Sequence, residues 1–405
     1  MQENSGKGKD MRYVKLLVAL CLLVSLCLPS RAMDLDSAAC LLMDAKSGRI
    51  LYEKDADEPR AIASLTKIMT LVLILEEMAL GKISPDDVVV ASPYANSMTG
   101  TRIWLEPYEK MTLGELVYSV AVGSANDAAV ALAEHIAGTE ADFVLKMNQR
   151  ALELGLTSTS FGNSTGLPAK YTAQPDWPNY STAKDMARLC QHAITVPGFL
   201  EYVSTYHYSV REGRKPQIEL WNLNKILERT VGGKTYGYIG VDGIKTGTTT
   251  EAGYCIGATA LRGNLRLIAV ILGADNEEQR TEEATALFDY GFRNFQAQLV
   301  TEKEAFRLPV KVPLSATYQV EAVLGEDFYV AVPKGTREQL EVEAVLIEGL
   351  AAPLEKGEAV GHLVCRCEGV ELGRAPLLTS GRVKKGSILH IAYYVLRDML
   401  VNLLE

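Results

Sequence analysis

The sequence predicts an α+β fold, and three observations predict it. Apolar runs that read as strand pairs lie near both ends of residues 33–297, with helical periodicity between them. Residues 306–382 hold short Val- and Leu-rich runs broken by Pro and Gly, the pattern of a small β-rich domain. From Ile388 to Leu404 the spacing turns helical again, with His390, Arg397 and Asp398 on one side and Leu389, Leu396, Leu400 and Leu403 on the other.

The chain begins with a basic stretch, Lys7, Lys9, Arg12 and Lys15, followed by an apolar run from Leu16 to Leu28. That run falls short of the roughly 20 apolar residues a membrane span needs. Ser30-Arg31-Ala32 then places small residues at the −3 and −1 positions of a cleavage site, so residues 1–32 are expected to be a secretory leader. Residues 38–54 read as a hairpin turning at Ala45-Lys46-Ser47-Gly48, and 64–80 as a helix ending near Gly81. Thr112 with Glu115 three residues on resembles a capping box. Helical spacing continues over 127–136 and 141–155, each stretch stopped by a glycine.

Residues 162–180, rich in Gly, Pro, Asn, Ser and Thr, are expected to form a long loop of the kind that carries function. A helix is expected over 181–194, a hairpin over 254–272 and a closing amphipathic helix over 282–295. The β-rich domain is placed at 298–382 and the last amphipathic helix at 383–405.

A net charge of −9 gives no basic footprint for nucleic acid. Once Cys21 and Cys27 leave with the leader, Cys40, Cys190, Cys255, Cys365 and Cys367 remain, an odd number that is no disulfide framework, and all five read as packing thiols. The histidines show no metal-ligand spacing, and His135 reads as a packed core residue. No metal or cofactor is expected.

Three short motifs carry the chemistry. Ser-x-x-Lys occurs at Ser64–Lys67 and again at Ser181–Lys184, whereas Ser124-Ala125-Asn126 and Lys245-Thr246-Gly247 are each single occurrences of their pattern. Only Ser64 precedes both of the others. Residues three apart share a helical face, so the Lys67 amine can reach the Ser64 hydroxyl. A serine is inert at neutral pH unless a base takes its proton, and a lysine is a base only when neutral, a state favoured by burial and by a second cation such as Lys245. A helix N-terminus at Ser64 adds free N–H groups for a developing oxyanion. Lys245 and the Thr246 hydroxyl offer donors for a carboxylate, and Gly247 permits close backbone approach to a ligand.

On these motifs and their surroundings the sequence resembles the low-molecular-mass penicillin-binding proteins that are serine D-Ala-D-Ala carboxypeptidases. The resemblance rests on Ala63 to Thr70 (ASLTKIMT), Asn126-Asp127-Ala128-Ala129, Tyr180-Ser181-Thr182-Ala183, Gly240 to Gly247 (GVDGIKTG) and Ala252-Gly253-Tyr254-Cys255. It implies a transpeptidase-like domain with an antiparallel sheet and helices, hydrolysis of peptidoglycan stem peptides ending in D-Ala-D-Ala, acylation by β-lactam antibiotics, and a C-terminal helix resting on the membrane surface.

It also implies roles: Ser64 as nucleophile, Lys67 as base, Ser124 as proton relay and Asn126 as a wall of the site. Lys245 and Thr246 would meet the terminal carboxylate, aided by Arg280, and the N–H groups of Ser64 and Thr248 would form the oxyanion hole. Ser181 is then expected to be a helix N-cap. Ala125 stands where glycine is common and Asn179 where histidine is often found. Two other enzymes share these residues. A D,D-endopeptidase differs only in its substrate, and a β-lactamase needs a deacylating carboxylate, for which no Glu-x-x-Leu-Asn pattern lies between Asn126 and Lys245.

Overall fold

The structure is a computed structural model and describes residues 33–168, 178–214, 216–317, 319–335 and 340–404. The expected leader, and residues 169–177 of the expected long loop, lie outside the described residues. The chain divides into two compact units, Met1–Asp36 and Ser37–Glu405, and of the first only residues 33–36 are described, without helix or strand.

Within the second unit the opening hairpin is β1 (Ala39–Asp44) and β2 (Ile50–Lys54). A 3-10 turn, Ala63–Thr66, leads into α1 (Lys67–Ala79), whose first six residues are all buried, as expected of a helix at the centre of a core. Thr112 caps α2 (Leu113–Ala121) through the expected capping box with Glu115. Next come α3 (Asn126–Ala137), stopped by Gly138 at φ 83°, α4 (Glu140–Glu153) and α5 (Ala183–Ala193).

Two hairpins follow, β3 (His207–Val210) with β4 (Ile218–Trp221) and β5 (Arg229–Val231) with β6 (Lys234–Tyr236). Then β7 (Val241–Thr249), β8 (Gly253–Arg262) and β9 (Leu265–Ala274) precede α6 (Glu277–Asn294). The main sheet has the order β7-β8-β9-β1-β2 with antiparallel pairing, so it joins the opening hairpin to the closing one, as expected. Both faces are covered. Leu41 and Met43 of β1 belong to the core that holds α1, while Leu42 lies against Gly291 of α6, the alternation a strand imposes.

The β-rich part comprises β10 (Phe295–Thr301), β11 (Arg307–Val310), β12 (Val320–Leu324), β13 (Phe328–Pro333), β14 (Glu341–Leu346), β15 (Ala359–Cys367) and β16 (Val370–Thr379). β10 pairs with β13, and the others form a sheet of order β11-β12-β16-β15-β14. It has its own core, which includes Val330, Val360 and Leu377. The Arg49 guanidinium at the first turn donates to the Ala331 carbonyl at 2.9 Å, tying the two parts. The chain continues into α7 (Ile388–Leu404), where Ile388, Leu389, Tyr393 and Leu396 are exposed. Among the described residues no helix is long and apolar enough to cross a membrane.

Three expectations need correction. α6 starts at Glu277, five residues early, because Asn276 caps it and the acidic Glu277 and Glu278 suit its positive end. His135 is exposed, since the apolar run it interrupts is the inner face of α3 and the histidine falls outside that face. The cap of α5 is Thr182, whose hydroxyl accepts from the Asp185 N–H, and not Ser181. Among the described residues Cys40, Cys190, Cys255 and Cys365 are buried and Cys367 is half-buried.

Candidate active site

The nucleophile turn is assembled first. Ala63 sits at φ 47°, a left-handed conformation that is costly for a residue with a Cβ, and turns the chain so that Ser64 stays partly exposed while Leu65 to Lys67 sink into the core. Lys67 opens α1 and is fully buried. Its Nζ lies 2.9 Å from Ser64 Oγ, 2.7 Å from Asn126 Oδ1 and 2.6 Å from the Thr165 carbonyl oxygen. The last two atoms only accept hydrogen bonds. A neutral amine has two N–H groups for them, which leaves its lone pair for the Ser64 O–H.

Burial drives the Lys67 ammonium well below the ordinary lysine range, the Lys245 cation pushes the same way, and the Asp127 carboxylate opposes both. Lys245 is itself buried, its pKa brought down to about 7 by desolvation and by the neighbouring Arg280 cation.

Asn126 is fixed at both ends of its amide. Nδ2 donates to the Thr99 carbonyl at 2.6 Å, which leaves Oδ1 for Lys67. The adjacent Asp127 carboxylate accepts from the N–H groups of Ile103, Leu105 and Ala128, holding the 99–105 segment against α3. Ser124 stands at φ 58° in the turn between α2 and α3 and is buried.

On β7, Lys245 and Gly247 share a face. A Cβ on Gly247 would sit 2.8 Å from the Ser64 nitrogen and 3.1 Å from the Ile62 carbonyl oxygen. The atoms that require glycine there belong to the protein's own nucleophile turn. Thr246 is buried and Thr248 exposed on the other face. Arg280, far from being a surface residue, is 3 % exposed; its guanidinium pairs with Glu277 at 3.1 Å and lies 5.7 Å from the Tyr254 ring.

Sequence reasoning placed function in the 162–180 loop but missed which atoms act. Thr165 contributes a backbone carbonyl, which no residue type announces. Asn163 Oδ1 accepts from the N–H groups of Thr165 and Gly166 and from the Thr165 hydroxyl, forming a tight turn. Thr70, one turn along α1 from Lys67, donates to the Ser164 carbonyl at 2.7 Å. The buried Glu140 carboxylate accepts from both the N–H and the hydroxyl of Ser164.

Asn179, the expected departure, accepts from Gly162 N–H and donates to the Leu167 carbonyl, so it braces the same loop. The second Ser-x-x-Lys makes no pair: the Ser181 hydroxyl bonds Thr159, and Lys184 reaches Asp57 at 2.6 Å.

A buried amine hydrogen-bonded to a serine, beside a second buried cation and an arginine, equips the site for acyl transfer from a substrate that carries a carboxylate. Comparison with known proteins agrees. Residues 28–276 match the profile of the family described as D-alanyl-D-alanine carboxypeptidase, and residues 295–385 match that described as penicillin-binding protein 5, C-terminal domain. The chain is 35 % identical over 355 residues to the D-alanyl-D-alanine carboxypeptidase DacF of Bacillus subtilis, with 87 % of each chain covered.

Among solved structures, penicillin-binding protein 5 from Haemophilus influenzae superposes with a TM-score of 0.67 at 30 % identity, covering 87 % of this chain and 98 % of that one. Penicillin-binding protein D2 from Listeria monocytogenes, in an ampicillin-bound form, gives 0.55 at 31 % identity over 64 % of this chain and 99 % of that one.

Proposed function

The chain belongs to the serine-type D-alanyl-D-alanine carboxypeptidase family, and from that premise we propose that it removes the terminal D-alanine of peptidoglycan stem peptides through an acyl-enzyme on Ser64. The observation that carries this reading is the buried Lys67 amine 2.9 Å from Ser64 Oγ. The neutral amine takes the hydroxyl proton as Oγ attacks the carbonyl of the penultimate D-alanine. The N–H groups of Ser64 and Thr248 receive the oxyanion, an arrangement favoured by the close passage of β7 along the nucleophile turn, where a Cβ on Gly247 would stand 2.8 Å from the Ser64 nitrogen. The C–N bond then breaks, and the Ser124 hydroxyl relays the proton from Lys67 to the departing amine. Water, deprotonated by Lys67, attacks the ester carbonyl; the C–Oγ bond breaks, and Lys67 returns the proton to Ser64 Oγ, restoring the hydroxyl and the neutral amine.

Lys245, Thr246 and Arg280 hold the substrate's terminal carboxylate, and the coupled cations Lys245 and Arg280 support that assignment. Asn126 keeps Lys67 oriented and lines the substrate amide. A β-lactam ring carries an acyl carbon and a carboxylate in the same relation, so it acylates Ser64 and stays. The test is to incubate purified protein from residue 33 onward with a pentapeptide ending in D-Ala-D-Ala and to measure free D-alanine. Release that is absent from Ser64→Ala supports the reading, and equal release from Ser64→Ala defeats it.

We also infer export through the 1–32 leader and attachment to the outer face of the cytoplasmic membrane through the amphipathic segment 383–405. Exposed Leu389, Tyr393 and Leu396 suit a helix lying in the interface plane, with Lys384 and Lys385 meeting anionic headgroups. Truncation after Arg382 is expected to abolish liposome flotation and spare hydrolysis of a soluble peptide. Equal flotation of both forms contradicts it.

A further inference from the structure

We propose that a strip of planar side chains centred on Trp221 is a sugar-binding subsite that takes an amino-sugar ring of the glycan to which the stem peptide is attached. The proposal deepens the carboxypeptidase reading and rests on it for the identity of the substrate.

The strip follows from strand alternation. On the β3–β4 hairpin His207 faces Trp221 and Tyr208 faces Leu220. Tyr208 and Leu220 point inward: Tyr208 stacks on Tyr118 with centroids 3.9 Å apart, and Leu220 Cδ2 lies 2.9 Å from where a Cβ on Gly123 would stand. Their neighbours therefore point outward, and Trp221 is 52 % exposed.

On that outer face the His207 ring lies 4.2 Å from the Trp221 ring, and Tyr206 meets it edge-on at 5.4 Å. The Arg229 guanidinium then covers Tyr206 at 4.8 Å and Tyr236 at 5.6 Å, with Tyr236 itself 46 % exposed. Five flat groups, four from β3, β4, β5 and β6 and Tyr206 from just before β3, thus run in series. A polar rim flanks them, since Glu219 accepts from the Ser209 hydroxyl and Gln217 and bonds His207 at 2.6 Å.

The location ties the strip to catalysis. Gly123, against which Leu220 packs, immediately precedes Ser124. Asn224, three residues after Trp221, donates through Nδ2 to the Gly243 carbonyl at 3.0 Å, two residues before Lys245. The hairpin and the segment after it are thus anchored to the two segments that carry Ser124 and Lys245, and its aromatic face is the outward one.

The chemistry of the strip selects the ligand. A pyranose presents a face of C–H groups with hydroxyl and amide groups around its edge, which matches flat rings with a polar rim. An exposed aromatic cluster rimmed by polar residues marks an interaction surface. The peptide that enters the site is covalently joined to such sugars, so engagement of the strip adds affinity for glycan-linked substrate alone.

The test compares a free pentapeptide with the same pentapeptide joined to its disaccharide. Trp221→Ala is expected to lower kcat/KM about tenfold on the glycan-linked substrate, leaving the free peptide and penicillin acylation unchanged, and Trp221→Phe is expected to recover most of the loss. Titration of the wild-type protein with peptide-free glycan oligomers should quench tryptophan fluorescence, and Trp221→Ala should remove the response. An equal loss on both substrates, no loss on either, or no Trp221-dependent quenching overturns the subsite. Quenching that persists in a protein that hydrolyses neither peptide would overturn the carboxypeptidase reading and keep the subsite.

Discussion

Gly166→Ala probes how the 161–168 turn sets the base. Gly166 has φ +82°, and a Cβ added there would stand 1.8 Å from the Ala63 carbonyl oxygen, 2.3 Å from its carbon and 2.9 Å from the Ser64 nitrogen. An ordinary carbon–oxygen contact needs about 3.3 Å, so the turn must lift by about 1.5 Å. Carried to the preceding residue, that movement takes the Thr165 carbonyl, now 2.6 Å from Lys67 Nζ, beyond any hydrogen bond. Lys67 then loses one of the two acceptors that aim its lone pair at Ser64. A displacement of about 1 Å at a catalytic group costs on the order of a hundredfold in rate.

The expected outcome is therefore a loss of about a hundredfold in the single-turnover rate of acylation by a fluorescent penicillin. Gly155→Ala is the control: it shares a positive φ, +70°, but an added Cβ meets nothing within 4 Å. It carries the left-handed strain of about 1–2 kcal/mol without touching the base. Thermal unfolding of both variants separates stability from chemistry. A Gly166→Ala protein that acylates within about threefold of wild type, or a Gly155→Ala protein slowed as much, would refute the reasoning.

Lys67→Arg replaces the neutral amine with a guanidinium that stays protonated and cannot accept a proton, so acylation is expected to fall about a hundredfold or more, measured by penicillin labelling of folded protein. The pH profile of kcat/KM is expected to be bell-shaped. It rises as Lys67 loses its proton, at a pH well below that of ordinary lysine, and falls above about 7 as Lys245 loses the charge that holds the substrate carboxylate. A bound carboxylate favours the charged lysine, so kcat should fall at higher pH than kcat/KM does, and a kcat/KM that climbs without a maximum through about pH 9 would contradict the assignment.

The residues whose chemistry is written in their type were legible in the sequence. Ser64, Lys67, Asn126 and Lys245 follow from motif order, and the structure brings Ser64 and Asn126 within hydrogen-bond reach of the Lys67 amine. The Thr112 capping box and both sheet hairpins follow from local pattern in the same way.

What escaped depends on tertiary placement. The Thr165 carbonyl acts through its backbone, and Glu140 reaches Ser164 across 24 residues of sequence. Ser181 and Thr182 are adjacent, and by type serine is the slightly better cap; the short pairing of Ser181 with Arg60 leaves Thr182 to cap. The burial of Arg280, and the gathering of Tyr206, Trp221, Arg229 and Tyr236, require the sheet and its hairpins to be in place.

The most direct test of the account is the site of the covalent bond. The protein, treated with penicillin and digested, is expected to yield one adduct by mass spectrometry, on the peptide that contains Ser64, and none from Ser64→Ala. An adduct on the peptide containing Ser181, or undiminished labelling of Ser64→Ala, would contradict it.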